Sequence, residues 1–349
     1  MNKKYQYSLE IVGSCNLRCP SCPVGNMNSR QVAKNMIDKD LFCKIIDKIL
    51  LEKEVDNPII SLFDWGEPTL HPDLPFFINY INQKEMRPRI SSNLNVDADF
   101  ESILRANPYQ FKISLSGFSS KNYEITHARG NINKVKSNMY KLKLLKDKLM
   151  VNTEIIVGFH VYKNNLKDYD MMKDLCKELK FTFEPDPAQL MPIEKVMSLL
   201  SMQDKSIEKE VNFDLPPITE KDDKLISLLI TNPVSEFKKW KEQEKTSDKN
   251  DLCFRKENKL AIRVDGTVPI CCGVYGDEFV VADNFLEISH NEIKKRRDTY
   301  QLCTVCMKNG VHSNWKLSKK TFINKILIKD NILGNVFRKI LSFKNKNLV

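Results

Sequence analysis

The strongest constraint on the fold is a rhythm. Six short runs rich in β-branched and aromatic residues alternate with longer runs of helical periodicity. The strand-like runs are Tyr7–Val12, Ile59–Asp64, Arg89–Ser92, Phe111–Leu115, Asn152–Phe159 and Phe181–Glu184, and the helical ones include Asp38–Leu51, Leu74–Gln83, Ile132–Lys146 and Leu166–Glu178. Alternation with short connections implies parallel βαβ units, in an open doubly wound sheet or a barrel. Six units are too few to close an eight-stranded barrel. From about Met191 the rhythm breaks. A stretch through Pro216-Pro217 leads to one helix-like segment, Asp222–Gln243, and Cys253–Cys306 reads as a small β-rich unit. There Leu260–Val264 and Val268–Cys271 are expected to form a hairpin about Asp265-Gly266.

Composition narrows the class. With 42% hydrophobic and 29% charged residues the chain is globular rather than disordered. At 349 residues it can bury a large core without disulfides. No apolar run reaches the roughly 18–20 residues of a membrane span. The N-terminus, Met1–Tyr7, lacks the apolar centre of a signal peptide, so a cytoplasmic protein is expected. In a reducing compartment ten cysteines serve metals or catalysis rather than disulfides. Cys43 and Cys176 stand alone in helical runs, as small core residues would. The other eight fall into two groups.

The first group is Cys15, Cys19 and Cys22, just after the first strand. Pro20 and Pro23 argue against a helix, so the segment is read as a loop wrapped around something. It lies at a strand's C-terminal end, where barrels and open α/β sheets keep their sites. Thiolates suit zinc or iron–sulfur clusters. A structural zinc site wants a fourth nearby ligand, and the residues that follow offer neither His nor Cys. Three protein ligands leave one metal position open, as chemistry requires.

This CxxxCxxC spacing after the first strand resembles the radical S-adenosylmethionine (SAM) superfamily, and the resemblance covers roughly residues 5–190. It implies a partial (β/α)6 barrel, an α/β fold. It also implies a [4Fe–4S] cluster on the three cysteines, whose fourth iron chelates SAM. One electron then cleaves SAM to methionine and a 5′-deoxyadenosyl radical, which abstracts hydrogen from a C–H bond. Asp64-Trp65-Gly66-Glu67-Pro68 is similar to the family's GGEP motif at the SAM amino group, with Trp65 in place of its first glycine. Ser91-Ser92-Asn93 falls where the family makes ribose contacts. Ser114, and Arg129 in His127–Asn131, look like the residues at the SAM carboxylate. The family's aromatic before the third cysteine is here Ser21.

The second group is Cys253, Cys271, Cys303 and Cys306, with Cys272 as a substitute for Cys271. Four thiols can close a tetrahedral or a cubane site. Zinc competes, although a zinc ribbon would present two CxxC pairs and only one exists. After a radical SAM domain the spacing resembles a Twitch module, a shortened SPASM domain with one auxiliary [4Fe–4S] cluster. The longer pattern would place a cysteine where His312 stands, so a second auxiliary cluster is not expected. Four protein ligands imply electron transfer rather than substrate ligation. His71, His127, His160 and His290 show no metal spacing and are read as loop or core residues.

The expected divisions are a radical SAM barrel at 1–192, a linker and helical segment at 193–250, the auxiliary domain at 251–318 and a basic tail at 319–349. That tail holds eight Lys or Arg and one Asp, a net +7 of the chain's +10. Its apolar residues recur at helical spacing, which suits packing on the barrel or peripheral contact with an anionic membrane. No nucleic-acid motif accompanies the charge. The primary expectation is an oxidoreductase that oxidises or epimerises a small polar substrate such as a sugar or cyclitol unit. Glu184 is the candidate base, and a flavodoxin or ferredoxin the electron donor. A maturase of ribosomally made peptides is the alternative, disfavoured because no leader-binding domain precedes Cys15. A non-catalytic iron–sulfur protein is the third reading.

Overall fold

The computed structural model describes residues 5–27, 35–53, 55–211, 213–244 and 252–313. The basic tail lies outside these residues. The central layer is a sheet of β1 (Gln6–Leu9), β2 (Ile59–Ser61), β3 (Arg87–Ser92), β4 (Gln110–Leu115), β5 (Glu154–Val161), β6 (Thr182–Pro187) and β7 (Lys259–Ile262). Its order is β6-β5-β4-β3-β2-β1-β7, and every neighbouring pair is parallel.

Helices α1 (Pro23–Asn26) and α2 (Lys39–Glu52) follow β1, α3 (Leu74–Gln83) follows β2, and α4 (Phe100–Arg105) follows β3. Next come α5 (Ser120–Thr126) and α6 (Ile132–Leu149) after β4, and α7 (Leu166–Leu179) after β5. Between β6 and β7 run α8 (Ile193–Ser201), α9 (Lys205–Glu210), α10 (Glu220–Leu228), α11 (Pro233–Glu244) and α12 (Phe254–Asn258). The chain ends its described course with β8 (Val268–Pro269), β9 (Val280–Ala282), α13 (His290–Thr299) and α14 (Gln301–Lys308).

Local chemistry explains these elements. The Asp38 carboxylate accepts from Leu41 N at 2.9 Å and starts α2, which buries Phe42, Ile45, Ile46 and Ile49 along one stripe. In β4, Phe111, Ile113 and Leu115 are buried while Gln110, Lys112 and Ser114 are half-buried on the other face. That alternation gives each central strand an apolar side for the helices and a polar side for the interior. The interior is therefore where chemistry collects.

Four expectations change. Leu260–Val264 was expected in a hairpin, but the strand there, β7, joins the main sheet beside β1. The turn does close, with Arg263 N donating to Thr267 O and Gly266 at φ +88°, yet β8 pairs with β9 instead. The C-terminal unit is correspondingly more helical than β-rich, and Cys303 and Cys306 stand on α14. Asp222–Gln243 is two helices, not one. Pro233 cannot continue a helix, and Asn232 caps the second by accepting from Val234 N and Ser235 N. Finally, β6 runs on through Pro185 to Pro187, because an edge strand tolerates proline. Among the described residues no helix is long and apolar enough to cross a membrane.

Candidate active site

The C-terminal ends of the strands surround a cavity of about 630 Å³. All three early thiols line it, as do Gly66, Glu67, Asn93 and Ser114. Cys22 caps α1, and its N–H donates to Cys19 O at 3.1 Å. Cys15 Sγ accepts from Leu17 N at 3.4 Å and from Asn93 Nδ2 at 3.6 Å. Burial pushes all three thiols up, Cys22 to about 12, and their mutual repulsion adds to the shift for Cys19 and Cys22. Three such thiols crowded into one loop end are poor free acids and good ligands, since a bound cation deprotonates them outright. The donor set thus fits an iron–sulfur cluster with one position left for a ligand from the cavity.

The DWGEP segment is packed directly beneath that loop. A Cβ on Gly66 would meet Val12 O at 1.8 Å, so only glycine allows the approach. Glu67 N donates to Ser14 O at 2.9 Å. The Glu67 carboxylate is spent inside the protein: Oε1 accepts from Thr69 N and Oγ1, and Oε2 from Asn93 N at 2.8 Å. Its side chain therefore binds the ends of β2 and β3 together, and backbone groups face the cavity. Pro68 is buried at the start of the turn that follows.

Ser114 Oγ lies 3.4 Å from His160 Nε2. Arg129 is not brought to the cavity; it is exposed, with a left-handed φ of +72°. Glu184, the candidate base, does not line the cavity either, whereas Asp186 on the same strand face does. Sequence reasoning missed Asp186 because it ended β6 at Glu184. It also missed Lys112, two positions before Ser114 on one strand face, though period-2 alternation carried that signal. His127 and His160 were read as core residues; both are buried enough to be held neutral, down to about 3 and about 4, and both line the cavity. Tyr162 lines it beside Ser21, its hydroxyl pushed up to about 12 by burial.

Cys253, Cys271, Cys303 and Cys306 converge on a second pocket whose lining mixes Ile193, Ile270, Val274 and Leu302 with Arg255, Lys256, Arg297 and His312. Cys271 lines this pocket and Cys272 does not; Cys272 lies near Arg89 and Arg255. Burial pushes the Cys271, Cys303 and Cys306 thiols up and neighbouring thiols add to it, while Arg255, Arg297 and Lys256 pull the other way. Four thiols gathered on one pocket, with Cys271 Sγ accepting from Gly273 N at 3.3 Å, fit a metal centre. Among the described residues no three His, Cys, Asp or Glu side chains are arranged to hold a single metal ion.

The two sites are tied together. Trp65 Nε1 donates to Val274 O at 3.1 Å, which explains the bulky residue in the glycine's place. Glu194 Oε1 accepts from Tyr275 N at 2.7 Å and Gly276 N at 3.0 Å. The next residue, Lys195, forms a fully buried ion pair with Asp222, which also accepts from Asn26 of α1 at 2.8 Å. One helix, α8, thus grips both cysteine loops.

No protein-family model matches the chain, and no curated protein matches it by sequence. Solved structures do. A tagged anSMEcpe with bound AdoMet covers 99% of this chain and 96% of its own at 15% identity and a TM-score of 0.57. Streptococcus suis SuiB bound to S-adenosylmethionine covers 84% of this chain at 14% identity and a TM-score of 0.53, and this chain spans 65% of SuiB. Both are radical SAM enzymes. The chain has the radical SAM fold. Within that radical SAM fold, the thiol trio stands at the end of β1 and the cavity opens along β2 to β6.

Proposed function

We propose that the protein is a radical SAM enzyme that abstracts hydrogen from a small polar substrate, with a sugar or cyclitol unit the leading class and oxidation of a carbinol the leading outcome. The observation that carries this is the shared cavity: three thiols, Gly66, Glu67, Asn93 and Ser114 line one space of about 630 Å³. When loaded and reduced, the cluster of the trio supplies the electron that cleaves SAM to methionine and a 5′-deoxyadenosyl radical. The chain's residues do the rest. Cys15, Cys19 and Cys22 would hold the cluster, and the backbone at Gly66, fixed against Val12, would take the SAM amino group. Asn93 and Ser114 orient the ribose and carboxylate ends, and Tyr162 supplies beside Ser21 the aromatic surface absent from the cysteine loop. His160, kept neutral by burial, and Asp186 are the proton acceptors for a substrate hydroxyl. Cys253, Cys271, Cys303 and Cys306 would hold an auxiliary cluster, which would supply an acceptor for the second electron, and a flavodoxin or ferredoxin would deliver the first.

A small substrate is favoured over a peptide by the lining, in which Lys112, Asp186, Arg255, Lys259 and two histidines crowd one cavity. The peptide reading keeps one support, since an anSMEcpe structure of similar fold holds a Cp18Cys peptide. The test is anaerobic reconstitution, reduction and assay of 5′-deoxyadenosine with SAM alone and with candidate sugars. Substrate-dependent 5′-deoxyadenosine supports the proposal; protein that never cleaves SAM contradicts it.

A further inference from the structure

Lys112 on β4, Lys259 at the start of β7 and Arg255 on α12 all line the cavity, although they come from distant parts of the chain. Lys112 is placed with care. Its stem crosses Gly158 of β5, where a Cβ would come within 2.2 Å of Lys112 Cε. Glycine weakens a strand interior, so its presence here has a use: it leaves room for the lysine. Burial lowers the Lys112 pKa; Asp186 and Glu184 pull the other way, and Arg89 and Lys259 add a smaller lowering.

The cations that line the cavity are Lys112, Lys259 and Arg255, and the acids are Asp64, Glu67 and Asp186. Arg89 and Glu184 act on Lys112 from outside that lining. Among the described residues Lys112, Lys259 and Arg255 form no ion pair, while Arg89 donates to Ser61 Oγ and Gln6. Arg255 has the distal thiols on its other side, so its charge is shared between the two pockets. Asp64 and Glu67 also line the cavity but belong to the β2 loop, and Glu67 is already engaged by Thr69 and Asn93. Crowded like charges destabilise a folded chain unless something negative joins them.

We infer that these cations form a subsite for a phosphate group carried by the substrate. The inference rests on the placement of substrate in this cavity and names its chemical class, a phosphate ester. Three cations from separate elements, none of them paired with a carboxylate among the described residues, suit the several oxygens of a phosphate better than the two of a carboxylate. Lysine meets phosphate as a point charge, and the guanidinium meets it with paired donors. The phosphate would anchor one end of the substrate while the carbon to be attacked lies toward the trio.

The test is calorimetric titration of inorganic phosphate and pyrophosphate into the reconstituted full-length protein, with SAM already saturating. Both are expected to bind, with acetate as the non-binding control. Lys112→Gln and Lys259→Gln should each weaken the affinity about tenfold, and Lys112→Arg should retain most of it. Lys259→Gln, at a half-buried strand end, serves if Lys112→Gln fails to fold. Phosphate that does not bind, or binds both glutamine variants as tightly as wild type, overturns the inference. So does a Lys112→Gln protein that loses SAM rather than phosphate, since the cations would then serve the SAM carboxylate. Wild-type protein that cleaves SAM but ignores phosphate sinks this subsite alone. Protein that binds phosphate but never cleaves SAM sinks the enzymatic reading and leaves the subsite standing.

Discussion

The two cysteine sites use the same ligand atom for opposite ends. The first presents three thiols at the rim of a wide cavity whose other walls are polar. The second presents four thiols in a small pocket walled by aliphatic side chains together with Arg255, Lys256, Arg297 and His312. One thiol fewer beside a wide cavity leaves room for a ligand; one thiol more in a small pocket does not. On the proposed function, that difference in ligand count and space separates a reacting site from a conducting one.

The sharpest way to break this comparison is to remove a thiol from each site. Cys22→Ala should abolish 5′-deoxyadenosine formation, because the trio has no spare ligand. Cys271→Ala should lower bound iron by about four per chain and leave SAM cleavage measurable. Cys272→Ala should leave iron content unchanged, because that thiol does not line the pocket. Iron assay and 5′-deoxyadenosine chromatography on the three variants decide the point. A Cys272→Ala protein that loses iron would reverse the ligand assignment.

The next effect concerns the tie between the sites. Asp222→Asn leaves Lys195 buried without its counter-ion, at a cost of about 3–5 kcal/mol, and loosens α1 beside Cys22. Chemical denaturation of the reconstituted protein should show the loss.

A pH effect follows in size. Burial raises the Glu194 carboxyl from 4.5 to about 7 while backbone N–H groups of Tyr275 and Gly276 pull the other way. A raised folded-state pKa means that the stabilisation is complete below the ordinary carboxylate range and is lost as pH rises through about 7. Wild-type melting temperature should therefore fall between pH 5 and pH 8 by more than that of Glu194→Gln. Equal slopes would show that Glu194 does not titrate there. The smallest effect belongs to Trp65→Phe, which keeps the ring but loses one hydrogen bond to Val274, about 0.5–1.5 kcal/mol.

Much of this was legible in the chain itself. Local signals act on neighbours in sequence, so the Asp38 cap, the Leu74–Gln83 helix and the cysteine spacing near β1 could be read directly. What could not be read arises from long-range placement. Nothing near Leu260 says that β7 will pair with β1 some 250 residues earlier. Proline at 185 looks like a strand end until the strand is known to lie on an edge. Arg255, Lys259 and Lys112 become a group only when the sheet curves them onto one cavity. Trp65 looked like a departure from a motif, and its partner Val274 stands 209 positions away.

The central claim is that one cysteine site is open to SAM and the other closed. The most direct measurement is the EPR spectrum of the anaerobically rebuilt, reduced protein before and after SAM is added. The account predicts two cluster signals, of which the one that survives in Cys271→Ala shifts with SAM and the other does not. Spectra that ignore SAM, or a shift confined to the signal that Cys271→Ala removes, would contradict it.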